Sequence, residues 1–354
     1  MDIRTIDHLE MFTENADEAA ARLCAGFGFT VHGRGSPETG LTDRVSVLLR
    51  QHDITLLVTS PLDAGHRAHD FLERHGEGIA VVGLAVDDAT AAFTEAVERG
   101  AVPIEAPRTL DPEGSAVTFA AVDGFGDVEH RFTSRRRPSG PFSPGLVAER
   151  PEQPAPGLLR DVDHLAVCLP SGELDRAVRR YRAVFDLEQT FEEQIIIGKQ
   201  AMRSKVVQSR SGGVTFTIIE PDLTRDPGQI DAFVEAHGGA GVQHVAFRTE
   251  DIVAGVRACA AQGVPFLSTP GEYYAALPER LGPVGVPVDR LRELSILADR
   301  DYAGVMLQIF TASTHPRRTL FYELIERRGA RTFGSNNIKA LYEAVEREQA
   351  AAQA

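Results

Sequence analysis

The feature that most constrains this chain of 354 residues is an internal repeat, because its second half resembles its first. Three pairs of segments carry the likeness: 6–9 with 162–165, 78–84 with 241–247, and 126–132 with 304–310. Segments with the composition of a helix follow the first two pairs at corresponding places. Self-similarity over this length indicates that each half is one structural unit built from the same elements.

A proline-rich segment separates the two halves. Six prolines lie within residues 135–157, a composition that favours an extended linker. The sequence therefore predicts an N-terminal domain over 1–134 and a larger C-terminal domain over 158–354. A chain of this length is also expected to form two domains of ordinary size.

Charge and composition argue against several classes of function. The net charge is −14, and no basic run is longer than Arg135-Arg136-Arg137, so nucleic acid is not an expected partner. The chain has no apolar leader and no run of 18 apolar residues, so we expect a cytoplasmic protein without membrane contact. Its three cysteines lack the spacing of a disulfide framework or a zinc ribbon. The oligomeric state, a homo-oligomer included, stays open.

Three strand-like segments each carry a polar residue on a face that is otherwise apolar. These residues are His164, His244 and Glu323. A buried carboxylate is costly unless a positive charge compensates it. Two imidazoles and one carboxylate form the triad that binds ferrous iron on one side and leaves positions open for substrate and O2. Considered singly, each residue is more simply explained as an unrelated core or surface residue.

The repeat indicates which half carries this chemistry. His164 has a counterpart in His8, but His244 aligns with Val81, and nothing after residue 132 of the first half matches Glu323. We therefore expect the first half to be metal-free. The second half has additional segments, and we interpret 271–297 as a helical insertion, 318–328 as an added strand and 336–350 as a helix that closes over the site.

Several ordered motifs resemble the 4-hydroxyphenylpyruvate dioxygenase family of the vicinal oxygen chelate superfamily. The resemblance covers nearly the whole chain, and the motifs are Asp163-His164, residues 238–244, 307–311, 320–327 and 333–337. It implies an α+β fold in which repeated βαβββ modules form two open barrels. It also implies Fe(II) on His164, His244 and Glu323, with 4-hydroxyphenylpyruvate and O2 as substrates.

The resemblance further implies roles for residues around the metal. Gln229, Gln243 and Gln308 match glutamines that line the family's active site. Residues implied to face the substrate are Ser204, Thr217, Ile219, Phe310, Phe333, Asn337, Ile338 and Tyr342. The sequence departs from the ring-hydroxylating enzymes at 217–221, where Thr-Ile-Ile-Glu-Pro replaces their Pro-Ile-Asn-Glu-Pro. Further departures lie at residues 312–318, 336–338 and 342, and together with this one they are similar to the 4-hydroxymandelate synthase branch of the family.

The implied reaction divides into two outcomes after decarboxylation of the substrate's own keto acid. Oxygen is added either to the ring, giving homogentisate, or to the benzylic carbon, giving 4-hydroxymandelate. Because Ile219 replaces an amide beside the ring, the sequence favours 4-hydroxymandelate. The alternatives are a homogentisate-forming dioxygenase, an extradiol catechol dioxygenase, against which the C-terminal motifs argue, and a metal-free protein that binds small ligands.

Overall fold

A computed structural model of the chain describes residues 1–110, 116–136, 142, 147–148, 157–334, 337 and 339–340. Most of the predicted linker lies outside the described residues. So do Ile338, Tyr342 and most of the predicted closing helix over 336–350. In the part of the chain that is described, no helix combines the length and apolar character needed to cross a membrane.

The first half contains nine strands and three helices in its described part. The strands are β1 (Ile3–Phe12), β2 (Thr30–Gly35), β3 (Arg44–Gln51), β4 (Ile54–Pro61), β5 (Gly78–Val86), β6 (Pro103–Leu110), β7 (Val117–Asp123), β8 (Glu129–Arg135) and β9 (Val147–Ala148). The helices are α1 (Ala16–Phe27), α2 (Arg67–His75) and α3 (Ala89–Glu98), with a short 3-10 turn at Pro37–Thr39.

The described part of the second half contains eight strands and six helices. The strands are β10 (Leu159–Cys168), β11 (Glu188–Ile197), β12 (Gln200–Gln208), β13 (Thr215–Pro221), β14 (Gly241–Thr249), β15 (Leu297–Arg300), β16 (Val305–Phe310) and β17 (Phe321–Arg328). The helices are α4 (Leu174–Phe185), α5 (Gln229–His237), α6 (Ile252–Ala261), α7 (Gly271–Ala275), α8 (Leu277–Leu281) and α9 (Val288–Glu293).

The two sheets repeat one topology. The first has the order β6-β7-β8-β5-β1-β4-β3-β2-β9, and the second has the order β15-β16-β17-β14-β10-β13-β12-β11. Apart from β9, each strand of one sheet has its counterpart at the same place in the other. Each half therefore consists of two βαβββ modules that form an open half-barrel, as the family resemblance implied. The helical insertion predicted over 271–297 is also confirmed, as α7, α8 and α9 between α6 and β15.

One of the predicted matches between the halves is wrong. The sequence likeness pairs residues 304–310 with 126–132, but strand order makes β16 the counterpart of β7 and β17 the counterpart of β8. Both β8 and β17 pair in parallel with the strand that starts the second module of their half. The strand that carries Glu323 is therefore not an addition, and its counterpart in the first half is β8.

A short connection with two glycines sets the start of the strand that carries His244. Helix α5 ends at Gly238, whose φ of 76° is left-handed, and Gly239 follows with a φ of 131°. Such angles favour glycine because other residues are strained there. The two glycines turn the chain directly from α5 into β14, which carries His244.

Apolar packing joins the halves. The largest buried cluster contains side chains from both sheets and from the helices outside them. Phe27 of α1, for example, packs its ring edge against Tyr322 of β17 at 5.0 Å between centroids. A buried hydrogen bond of 2.8 Å joins His130 of β8 to Tyr181 of α4. A separate, smaller cluster lies in the second half and includes Ala166, Cys168, Ile219 and Phe310.

Candidate metal centre

The structure brings together the three polar residues that stand out on the strand faces. Oε2 of Glu323 lies 3.4 Å from Nε2 of His164 and 3.4 Å from Nε2 of His244. One ligand atom from each residue lies within 4.8 Å of the others. Ligand atoms about 2.1 Å from a first-row divalent ion and about 90° apart are separated by about 3 Å, so the spacing suits one ion.

Strand register explains why residues so distant in sequence meet. In the antiparallel pair of β10 and β14, His244 lies opposite Ala166, and in the parallel pair of β14 and β17, Glu323 lies opposite Ala246. His164 itself lies opposite Ala246. Side chains at paired positions share a face of the sheet, so all three residues point to the inside of the half-barrel.

Burial makes the charges of this cluster strongly interdependent. The exposed fractions are 4% for His164, 7% for His244 and 1% for Glu323. Burial alone would lower the pKa of His164, but the charge of Glu323 and the hydrogen bond to Asp163 outweigh it and raise the pKa to about 9. Burial lowers the pKa of His244. For Glu323 burial would raise the pKa, but the two imidazoles lower it.

The chemistry of this buried donor set suits a cation. Without a metal, the positive charge of His164 is the largest of the influences that lower the pKa of Glu323. A divalent ion would supply that positive charge and displace the proton, as metal binding to histidine generally does. Two imidazole nitrogens and a carboxylate oxygen are the donor set of a triad that leaves coordination positions open.

Asp163 and Arg327 hold His164 in place. Asp163 Oδ1 accepts from Nδ1 of His164 at 2.8 Å, so that ring presents Nε2 to Glu323. Neighbours on a regular strand point to opposite faces, but the pairing of β10 shifts register between Val162 and His164. Arg327 donates to both oxygens of Asp163 at 2.6 and 2.8 Å. The sequence did not reveal these partners, although Asp163 and Arg327 both fall within its motifs.

A chain of hydrogen bonds runs from Glu323 to the helical insertion. Gln308 donates to Glu323 at 3.0 Å and accepts from Asn337 at 2.9 Å. Tyr273 of α7 donates to Asn337 at 2.7 Å, and Arg280 of α8 donates to Tyr273 at 3.1 Å. The carboxylate of Glu323 is thus oriented by residues from β16, from the segment after β17 and from the insertion.

His244 is held by aromatic packing. Its Nδ1 is buried and has no hydrogen-bond partner among the described residues. Phe321 stacks on its ring at 4.9 Å and 29°, and Phe310 meets it at 5.9 Å and 72°. Phe333 packs edge-on against the other imidazole, that of His164, at 5.1 Å. Aromatic rings therefore border both imidazoles.

The other predicted site residues fall into three groups. Gln229 and Gln243 line a cavity of about 230 Å³ that Phe321 also borders. Thr217 lies opposite Ala166, Ile219 lies opposite Cys168 and Ser204 lies opposite Ile219. All three of these side chains are buried, and the hydroxyl of Thr217 has no partner among the described residues. Ile338 and Tyr342 lie outside the described part of the chain.

Both halves match models of the glyoxalase/bleomycin resistance protein/dioxygenase superfamily, over residues 7–119 and 161–278. The chain therefore consists of two domains of this superfamily, and the triad lies in the second. The chain is 34% identical to a probable 4-hydroxyphenylpyruvate dioxygenase 2 of Aspergillus fumigatus, with 97% of this chain and 93% of the relative covered. The chain belongs to the 4-hydroxyphenylpyruvate dioxygenase family.

Two further relatives extend the comparison. The 4-hydroxyphenylpyruvate dioxygenase of Dictyostelium discoideum is 31% identical, with 97% of each chain covered. A solved structure of a triple mutant of 4-hydroxymandelate synthase from Streptomyces coelicolor is 43% identical, covers 99% of this chain and 100% of its own, and superposes with a TM-score of 0.91. Proteins with two different names, 4-hydroxyphenylpyruvate dioxygenase and 4-hydroxymandelate synthase, are thus similar to this chain over nearly its whole length.

Proposed function

We propose that the protein binds Fe(II) at His164, His244 and Glu323 and converts 4-hydroxyphenylpyruvate and O2 into 4-hydroxymandelate and CO2. One oxygen atom enters the new carboxylate and the other enters the benzylic hydroxyl. The observation that carries the proposal is the buried cluster of two imidazoles and one carboxylate on the inner face of the second half-barrel. Its donor set is the one that suits ferrous iron in O2-dependent enzymes.

When bound, Fe(II) supplies open positions for the keto acid and O2 and the electrons that begin O2 reduction. The residues of the chain supply position and environment. Asp163 and Gln308 orient two of the ligands, and such outer partners tune both metal affinity and ligand direction. All three ligands come from one inner face, so the substrate has to bind on the inner side of the half-barrel.

The wall beside the triad is suited to an aromatic ring. Ile219, Phe310, Ala166 and Cys168 belong to one buried apolar cluster on this side. Thr217 adds a buried hydroxyl that has no partner among the described residues and is available to a polar group of the substrate. An apolar wall of this kind also excludes water from the reacting atoms.

Ile219 supports 4-hydroxymandelate over homogentisate. Its buried branched side chain occupies the place where an amide of the ring-hydroxylating pattern would hydrogen-bond. Without that bond the ring has one polar contact fewer, and a shift of about 1 Å is enough to change which carbon is presented. The 43% identity to a 4-hydroxymandelate synthase over the full length agrees with this choice.

The test is a product analysis. Protein loaded with Fe(II) under anaerobic conditions is mixed with 4-hydroxyphenylpyruvate and air, and the products are separated by chromatography against authentic standards. The two candidate products are isomers, so retention and fragmentation, rather than mass, distinguish them. We expect 4-hydroxymandelate as the main product. Homogentisate as the main product would instead assign the protein to the ring-hydroxylating members, and the absence of iron-dependent O2 uptake would contradict both.

A further inference from the structure

The first half-barrel has an arginine at the position of the triad's carboxylate. In the first half, Gly83 of β5 pairs with Arg131 of β8, as Ala246 pairs with Glu323 in the second. His8 lies opposite Gly83, as His164 lies opposite Ala246. The guanidinium of Arg131 therefore occupies the position from which the second half presents a metal ligand.

The surroundings of this position are also repeated. Asp7 binds Nδ1 of His8 at 2.7 Å, and Arg135 donates to both oxygens of Asp7 at 3.1 Å. Phe142 packs edge-on against His8 at 5.0 Å, as Phe333 packs against His164 at 5.1 Å. The first half thus keeps the supports of the second half's metal centre and changes the group at its middle from an anion to a cation.

Arg131 is compensated by two buried carboxylates. Its Nη1 lies 2.9 Å from Glu10 Oε2 and 3.3 Å from His8 Nε2. Its Nη2 lies 3.8 Å from Glu129 Oε2, while Arg67 Nε lies 3.1 Å from the other oxygen of Glu129. Thr59 donates to the remaining oxygen of Glu10 at 2.8 Å. Each oxygen of both carboxylates therefore has a partner.

The unused hydrogen-bonding capacity of this network consists of donors. Nε of Arg131 and Nη1 of Arg67 are both buried and have no acceptor among the described residues. A buried donor without a partner costs about 1–3 kcal/mol, and such groups in native proteins usually bind water, an ion or a ligand. Arg67 and Arg131 both lie beside Glu129, and two neighbouring guanidinium groups suit a carboxylate, whose two oxygens they can bind.

A cavity of about 820 Å³ adjoins these two arginines. Arg67 and Arg131 line it together with apolar side chains, among them Phe12, Leu57 and Phe119. Four arginines and four acidic residues border the cavity, so its lining carries no net charge. The unused donors of Arg67 and Arg131 are therefore what favours an anionic ligand. The volume is in the range of cavities that bind small organic molecules, which combine apolar walls with a few placed polar groups.

We propose that the first half-barrel binds a small organic carboxylate with an aromatic or apolar body. Arg67 and Arg131 bind its carboxylate at the place where the second half has its metal centre, and the apolar side chains enclose its body. This proposal does not depend on the function proposed for the second half.

The test uses 4-fluorophenylacetate as a fluorine NMR probe of the full-length protein. We expect saturable binding that Arg67→Met weakens at least tenfold and that Glu323→Ala leaves unchanged. Arg67 is partly exposed, so its replacement leaves the core intact, and Arg67→Lys, which keeps the charge but lacks the fork, is expected to give an intermediate loss. Arg257→Met, on the surface of α6, is the matched control and is expected to bind as the unchanged protein does.

The neutral analogue 4-fluorophenylacetamide tests the charge requirement and is expected to bind at least tenfold more weakly. Binding lost in Glu323→Ala but kept in both Arg67 variants would place the probe at the metal centre and overturn the proposal. Equal affinity for the amide and the carboxylate, or no saturable binding, would overturn it as well.

Discussion

Replacing Asp163 by Asn is expected to weaken metal binding by way of His164. Asp163 accepts from Nδ1 of that histidine at 2.8 Å and is itself held by Arg327 at 2.6 and 2.8 Å. Loss of such an outer partner typically lowers metal affinity about 10–100-fold, or about 1.4–2.7 kcal/mol. A competitive titration of Co(II) against a chelator under anaerobic conditions measures this change.

The repeat supplies a matched control for this variant. Asp7 makes the same contacts, to His8 at 2.7 Å and to Arg135 at 3.1 Å, but in the half without the triad. Breaking one partner of a buried ion pair costs about 3–5 kcal/mol, so both Asp7→Asn and Asp163→Asn are expected to lower the urea midpoint of the metal-free protein. Only Asp163→Asn is expected to lower Co(II) affinity. Equal affinity losses in the two variants, or none in Asp163→Asn, would refute the reasoning.

Three further predictions address the ligands, the product and pH. Glu323→Ala is expected to abolish metal binding, whereas His8→Ala keeps one metal per chain by elemental analysis; a retained metal in the first variant would show that the triad is misassigned. Ile219→Asn is expected to raise the ratio of ring-oxidised product to 4-hydroxymandelate by up to about tenfold. A difference of about 1.4 kcal/mol between the two transition states suffices for this, and a buried hydrogen bond supplies roughly that energy. An unchanged product ratio on chromatography would place product control elsewhere. Burial lowers the pKa of His237 to about 4, so stability is complete above the unfolded pKa of about 6.5 and falls toward pH 4, by at most about 3 kcal/mol. Urea midpoints of His237→Phe are expected to lack this part of the acid loss, and the same pH dependence in both proteins would contradict it.

The residues of the triad were identifiable because strand periodicity is local. Every second residue of such a strand faces the core and is apolar, so a single histidine or glutamate among them stands out in the sequence itself. Family motifs then join the three segments. The repeat was predictable for a similar reason, since His8 and His164 lie in nearly identical segments, whereas the βαβββ organisation of each half was implied by the family resemblance. The product-determining role of Ile219 stays a prediction, as do the domain boundaries.

What the sequence could not provide is pairing between distant strands. Matching 304–310 with 126–132 relied on local likeness and misplaced the counterpart of Glu323, which register shows to be Arg131. The contact of Asp163 with Arg327 also depends on where two strands lie in the sheet. Strand β6 lies at a sheet edge, and most of its positions are exposed, so its sequence lacks the alternation that indicates a half-buried strand.

The most direct test of the proposed function is to follow the oxygen atoms. Protein loaded with Fe(II) is given 4-hydroxyphenylpyruvate and O2 labelled with oxygen-18, and the product is fragmented by mass spectrometry. We predict 4-hydroxymandelate with one label in the carboxylate and one on the benzylic carbon, and no labelled product from His164→Ala. A label on the ring, or a product whose benzylic oxygen comes from water, would contradict the account.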